Sequence, residues 1–127
     1  MENKIVFPKD VLENRHRMNP DVFEAITKRD SKCIYCKEGF ILWQTQKPHR
    51  GKAPSVEHII NKNIPWRKLK TEESGICCGS CNSSRGPKYL KLWFTKTYCK
   101  ERDINENSVE KIVRHFIASQ KSKGLRW

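Results

Sequence analysis

The hydrophobic positions of this chain fall into two regions of helical spacing, separated by a stretch of short extended pieces. Near the N-terminus, Val22, Phe23 and Ile26 share one face of a helix predicted from Pro20 to about Arg29. Asn19 is a good N-cap for it, and Pro20 suits the first helical position, where its missing N–H costs nothing. From Phe40 to Ile60 the pattern shortens. Phe40-Ile41-Leu42-Trp43 and Ser55-Val56-Glu57-His58-Ile59-Ile60 read as the two strands of a hairpin around a basic, turn-rich loop from Gln46 to Pro54. Asn61 to Ser74 is polar and irregular, and Pro65 opposes a long helix there. Helical spacing returns at Leu90, Trp93, Phe94 and Thr97, behind a Gly86-Pro87 pair whose proline either starts a helix or breaks one. A last helix is expected where Val109, Ile112, Val113, Phe116 and Ile117 form an apolar stripe after an Asn107–Glu110 capping pair, the stripe packing on Trp93 and Phe94.

These stripes are short for a chain of 127 residues. Hydrophobic residues make up 36% of it and the mean hydropathy is −0.80, so the core is thin and a second source of stability is expected. The length suits one domain, and no internal repeat or linker divides it: we read a basic arm over 1–18, with Arg15, His16 and Arg17 clustered, and a single domain over 19–127. No run approaches the roughly 18 apolar residues of a membrane span, and the start from Met1 to Pro8 is no signal peptide, so the expectation is a cytoplasmic protein without a membrane partner. Lys and Arg number 26 against 14 Asp and Glu, a formal net charge of +12. Such a field attracts polyanions, nucleic acid first. Lys47, His49, Arg50 and Lys52 crowd the hairpin loop and Trp66-Arg67-Lys68 follows it, although any one of these cations serves equally well as solvated surface.

In a reducing compartment, six cysteines are poor disulfide candidates. Cys33-Ile34-Tyr35-Cys36 and Cys78-Gly79-Ser80-Cys81 are two Cys-x-x-Cys knuckles with residues 37–77 between them. A two-residue spacer lets both thiolates of a knuckle bind one ion, and two knuckles complete the tetrahedron of structural zinc. Such a site would offset the thin core, because metal binding becomes folding free energy. A redox role needs one pair, in a βαβ setting this chain lacks. Cys77 could replace Cys78 as partner of Cys81, but Cys78 repeats the first knuckle's spacing; Cys99 stands alone and suits a buried helix position. Four thiolates leave a formal −2 at the centre, which Lys32, Lys37, Arg85 and Lys88 flank in sequence.

Three ordered motifs, Cys33-x-x-Cys36, Val56-Glu57-His58-Ile59-Ile60 and Cys78-x-x-Cys81-Asn82-Ser83-Ser84-Arg85-Gly86, together resemble the HNH nucleases over roughly Lys28 to Lys88. The resemblance implies an α+β fold: a small ββα-metal core over about 28–88 with a four-cysteine zinc, flanked by an N-terminal helix and two C-terminal helices, the extension covering 89–127. It implies a DNA endonuclease that hydrolyses phosphodiester bonds to a 5′-phosphate and a 3′-hydroxyl. Glu57 and Asn82 would hold a catalytic Mg2+ or Mn2+, His58 would be the general base, and Arg85 would clamp the scissile phosphate or a neighbour. The chemistry is independently sensible: hard ions take oxygen donors, a neutral imidazole can accept a proton from water, and the metal stabilises charge on the phosphate. Zn2+ at Cys33, Cys36, Cys78 and Cys81 would be structural.

Two positions depart from the family pattern. Glu57 stands where aspartate is commoner, and the central asparagine, expected about five residues before the second knuckle, is replaced by Glu73 with Ser74 next to it. Ser74 can donate weakly where that asparagine ties the loop, whereas ionised Glu73 cannot. Regular alternation also points Glu57 and His58 to opposite sides, so both reach one site only where the strand ends or distorts. These features keep a second reading open, a weak or inactive zinc-stabilised nucleic-acid-binding module. A third, a zinc-binding protein-interaction domain, leaves the charge and the Glu-His pair unused. Monomer and homodimer are equally compatible with the sequence.

Overall fold

A computed structural model describes residues 17–40, 52–60 and 64–127. Among these the chain is α+β, with five helices and one two-stranded antiparallel sheet. Helix α1 (Pro20–Arg29) lies where its caps and periodicity placed it, with the Asn19 side chain accepting the Asp21 N–H at 2.9 Å. At its end the chain is bonded to the sheet. Asp30 accepts the Ile76 N–H at 3.0 Å, while Arg29 donates to the carbonyls of Ser74 at 2.6 Å and Thr71 at 2.9 Å.

Strand β1 (Pro54–His58) pairs with β2 (Ser74–Cys78), Pro54 opposite Cys78 and His58 opposite Ser74. The expected hairpin paired this strand with Phe40 to Trp43, a run that leaves the described residues after Phe40. The partner of β1 is a segment whose glycine and paired cysteines carry little strand propensity, and which is strand because all five of its residues are buried and paired; Ile41, Leu42 and Trp43 lie outside the described residues. The strand also stops at His58 instead of Ile60, since the N–H groups of Ile59 and Ile60 turn to the Glu73 carbonyl at 2.8 and 3.3 Å. Two 3-10 turns, Trp66–Lys68 and Thr71–Glu73, occupy the connection.

β2 passes directly into α2 (Gly79–Arg85), and the second knuckle forms the first turn of this helix. Gly86 ends it at φ +53°, a backbone region that glycine adopts without a Cβ penalty, and Pro87 therefore marks a break. Three helices follow instead of the expected two: α3 (Leu90–Trp93), α4 (Thr97–Arg102) and α5 (Lys111–Ser122). Thr95 closes α3 by donating its hydroxyl back to the Leu92 carbonyl at 2.6 Å, which interrupts the spacing that Leu90 to Thr97 had suggested. The Asn107–Glu110 capping pair is not formed. Asn105 caps the preceding turn, its side chain accepting the N–H groups of Asn107 at 2.9 Å and Ser108 at 3.1 Å, and α5 starts after Glu110.

Two apolar clusters hold these pieces. Met18, Ile26, Val56, Leu69 and Ile76 fill the space between α1 and the sheet, so Met18, assigned above to the basic arm, is part of the core. The larger cluster joins the first knuckle to the C-terminal helices through Ile34, Tyr35, Trp93, Val109, Val113 and Ile117. Val109, Val113, Phe116 and Ile117 are buried as the apolar stripe required. No helix among the described residues is long and apolar enough to cross a membrane.

The first knuckle approaches the sheet closely at Gly75, where an added Cβ would lie 2.7 Å from Ile34 Cδ1 and 3.1 Å from Asp30 Oδ2. Gly75→Ala is expected to cost about 1–3 kcal/mol through overpacking. The measurement is the urea midpoint of the purified protein, and an unchanged midpoint would show that the knuckle can lift off β2 freely.

Candidate metal centre

The first knuckle is a closed turn. Cys33 donates its N–H to the Glu38 carbonyl and accepts from the Lys37 N–H, both at 3.0 Å, with Lys37 in the left-handed region at φ +62°. It hangs on the free edge of β2 through Ile34 N–H to the Ile76 carbonyl at 3.1 Å. The second knuckle sits where β2 becomes α2, so both are positioned by one strand. Ligand atoms of Cys33, Cys36, Cys78 and Cys81 all lie within 4.8 Å of one another, forming a cluster that can hold a metal ion. The Cys36 and Cys78 sulfurs are 3.9 Å apart. Zinc fits this spacing, because a Zn–S bond of about 2.3 Å gives a tetrahedral S···S edge of about 3.8 Å.

Electrostatics also call for a cation here. Hydrogen bonds from Cys36, Cys78 and Cys81 hold the Cys33 thiol far below its ordinary range. Hydrogen bonds with Cys33 and Cys36, and lastly the charge of Cys33, push Cys78 and Cys81 far up. In the bare cluster the thiols of Cys33 and Cys36 are pulled down while those of Cys78 and Cys81 are pushed up, and a divalent ion removes that conflict. Cys77 faces the other way: the Ser55 hydroxyl lies 3.9 Å from its sulfur, and burial, then the charge of Glu57, raise its thiol well above the usual value. The choice of Cys78 as ligand agrees with this placement. Cys99 is buried and its thiol is pushed up to about 11 by burial.

Two residues that the sequence did not single out flank the cluster. The Tyr98 hydroxyl is 3.3 Å from Cys81 Sγ, and the Arg102 guanidinium lies over the Tyr98 ring at 3.7 Å. With Lys52, they line a cavity of about 370 Å³ against Cys36 and Cys78. Tyr98 lies 17 positions from Cys81 with no local motif joining them; the only sequence signal was Arg102 one helical turn beyond Tyr98. Of the cations expected to offset the centre, Lys32 and Lys37 are exposed, and Arg85 points elsewhere.

The remaining site residues gather at the end of β1, on two faces. Ser55, Glu57 and Cys77 share the face toward α2, and Asn82 on that helix donates its side-chain amide to the Ser55 hydroxyl at 3.3 Å. Glu57 is 1% exposed, with Oε2 at 3.6 Å from an Arg85 nitrogen. His58 is 6% exposed on the opposite face, its ring edge-on to Trp66 at 4.1 Å. The structure therefore brings Glu57 and Asn82 to one side of the sheet and leaves the imidazole on the other, as alternation required. Glu73 and Ser74 close the connecting loop together: the Glu73 carboxylate accepts the Lys70 N–H at 3.1 Å, and the Ser74 hydroxyl donates to the Lys70 carbonyl at 2.8 Å.

Arg85 requires a correction. It was expected on a phosphate, but it is 4% exposed and its guanidinium is directed inward. It donates to the Lys88 carbonyl at 3.0 Å, the Tyr35 hydroxyl at 2.9 Å, the His58 carbonyl at 2.8 Å and the Ile59 carbonyl at 2.9 Å. Four of the five guanidinium N–H groups are thereby engaged. Burial of a side chain that must stay charged is compensated by these bonds and by Glu57. His115 is exposed on α5, and Arg15, His16, Lys47, His49, Arg50, Asn61 and Asn63 lie outside the described residues.

No family model matches the chain, and neither the curated proteins nor the solved structures include a match.

Metal analysis of the purified protein is expected to give one zinc per chain. Cys33→Ser or Cys78→Ser should lose it, whereas Cys77→Ser and Cys99→Ser should keep it. Retention of full zinc by Cys78→Ser, with loss in Cys77→Ser, would reverse the ligand assignment.

Proposed function

We propose that this protein is an HNH-type, metal-dependent DNA endonuclease braced by a structural zinc at Cys33, Cys36, Cys78 and Cys81. The observation that carries the reading is an order of elements. Glu57-His58 ends the first strand of a two-stranded antiparallel sheet, and the second strand runs straight into the helix bearing Asn82, at the junction where the four sulfurs meet. This order of strand, strand and helix supports the ββα core that the resemblance implies, and Glu73 and Ser74 close the loop before the second strand, where the family uses one asparagine. The Glu57 carboxylate and the Asn82 carboxamide oxygen are hard donors on one face of the sheet, of the kind Mg2+ or Mn2+ takes. Such an ion, when bound, would supply charge stabilisation at the phosphate and leaving oxygen. His58 has the chemistry to take a proton from the attacking water, and to act beside that ion its ring, now edge-on to Trp66, has to turn at the strand end to the Glu57 side. The +12 charge of the chain supplies a field for a DNA partner.

One observation favours a second reading. Glu57 is held by a buried guanidinium, and a cation bound there has to compete with Arg85 for its carboxylate. A chain in which Arg85 keeps Glu57 is a zinc-stabilised nucleic-acid-binding module with little or no catalysis.

Plasmid cleavage with and without Mg2+ or Mn2+ separates the two. The nuclease reading expects ion-dependent cleavage that His58→Ala lowers by about 100-fold or more, with zinc content and DNA affinity little changed. DNA binding without cleavage under either ion selects the binding module, and cleavage by His58→Ala at the wild-type rate removes His58 as the base.

A further inference from the structure

We infer that Arg85 is an internal positioning residue that ties the first cysteine knuckle to the Glu57–His58 strand end, with the Tyr35 hydroxyl as its anchor on the knuckle. The catalytic consequence rests on the nuclease reading above; the mechanical one does not. Past His58 the chain leaves the ladder, and its backbone groups need new partners. The N–H groups of Ile59 and Ile60 go to the Glu73 carbonyl, and the carbonyls of His58 and Ile59 go to the two terminal nitrogens of Arg85, at 2.8 and 2.9 Å. The bend that terminates β1 is therefore clamped from both sides. One side of the clamp is main chain, and the other is this single side chain.

Arg85 is in turn fixed from the metal side. Its first terminal nitrogen also reaches the Tyr35 hydroxyl at 2.9 Å. Tyr35 lies between Ile34, bonded to β2, and Cys36, a metal-cluster residue; it is buried, with its ring edge-on to Trp93 at 5.0 Å. Both ends of the connection are rigid. A planar guanidinium can span two successive carbonyls, a phenol and the nearby Glu57 carboxylate at once, and the compact ammonium of lysine cannot reproduce that fork. Arg85 thus fixes the backbone of His58 and the charge environment of Glu57 together, and the knuckle geometry that a bound ion enforces reaches the strand end through Tyr35.

The test uses the full zinc-loaded chain with Arg85→Lys and Tyr35→Phe, the second removing one oxygen while leaving the ring on Trp93. Zinc should remain at one per chain in both. Amide exchange at Ile59 and Ile60 should speed up by about tenfold in Arg85→Lys, and by less in Tyr35→Phe, because the local opening becomes easier. The His58 ring resonances, set by the Trp66 ring against them, should shift in both variants. Cleavage should lose about tenfold in kcat with KM for DNA held within about twofold, the signature of misplaced groups and not of weakened binding. A phosphate-contacting Arg85 predicts the reverse: raised KM, a shallower salt dependence, and wild-type exchange and His58 resonances. That result overturns the proposal, as does wild-type exchange in both variants. Should Arg85→Lys fail to fold, Tyr35→Phe decides alone by the same readouts. If the wild-type chain cleaves nothing, the nuclease reading falls, while exchange and the His58 resonances still decide the positioning role.

Discussion

Bringing four thiol sulfurs within 4.8 Å of one another is unfavourable for the protein by itself. Like charges at that separation cannot all persist: Cys33 and Cys36 are drawn toward the charged form while Cys78 and Cys81 are driven to stay protonated. A divalent ion turns the same crowding into binding energy, and the rest of the architecture is arranged around that exchange. β2 carries the first knuckle on its edge and the second at its end. The α5 entry is bonded to the knuckle by Glu110 N–H to the Ile34 carbonyl at 2.9 Å, and Trp93 packs on Tyr35. The larger apolar cluster is built from the neighbours of the sulfurs, so in a chain with 36% hydrophobic residues the four-cysteine cluster and the core form one unit.

A two-stranded sheet is marginal in water, and this one is sustained by what covers its edge and ends. The outer edge of β2 meets Asp30, Arg29 and Ile34 instead of a third strand. Side chains and a turn thus take the part of a neighbouring strand, which allows a sheet of ten residues to hold its register. Three of the buried polar residues are paired as this requires: Asp30 with Arg29 and the Ile76 N–H, Ser74 with the Lys70 carbonyl, and Arg85 with three carbonyls and a phenol.

What could be read from the sequence follows from how local each signal is. α1 and the apolar stripe of α5 were legible because caps and helical spacing act within one or two turns, and the four ligands were legible because chelation demands a short spacer. β2 was not, because Ser74 to Cys78 is strand by virtue of burial on both faces and pairing with a segment about twenty positions away. α2 was hidden behind its cysteines, whose spacing suits a turn and a helical first turn equally. Tyr98 reaches Cys81 only through the packing of α4, which no motif announces. Arg85 shows the limit of charge counting most clearly. Its place after Asn82 in a chain of net charge +12 pointed outward to phosphate, and only the fold reveals that its donors serve the inside.

That inward placement bears on how a strand can present a carboxylate and an imidazole that alternation separates. Glu57 and His58 are consecutive, so a small rotation of the peptide between them moves the two side chains in opposite senses. Independent control of each by its own partner would need two clamps, one per face. Arg85 acts at the shared element instead: it touches the Glu57 carboxylate directly and the His58 carbonyl through the backbone. A cation buried at 4% exposure carries a heavy desolvation cost, which four hydrogen bonds and a nearby carboxylate offset only in the geometry seen here. Any displacement of the strand end therefore forfeits part of that compensation, so burial of Arg85 adds to what the short sheet itself contributes to holding the bend after His58.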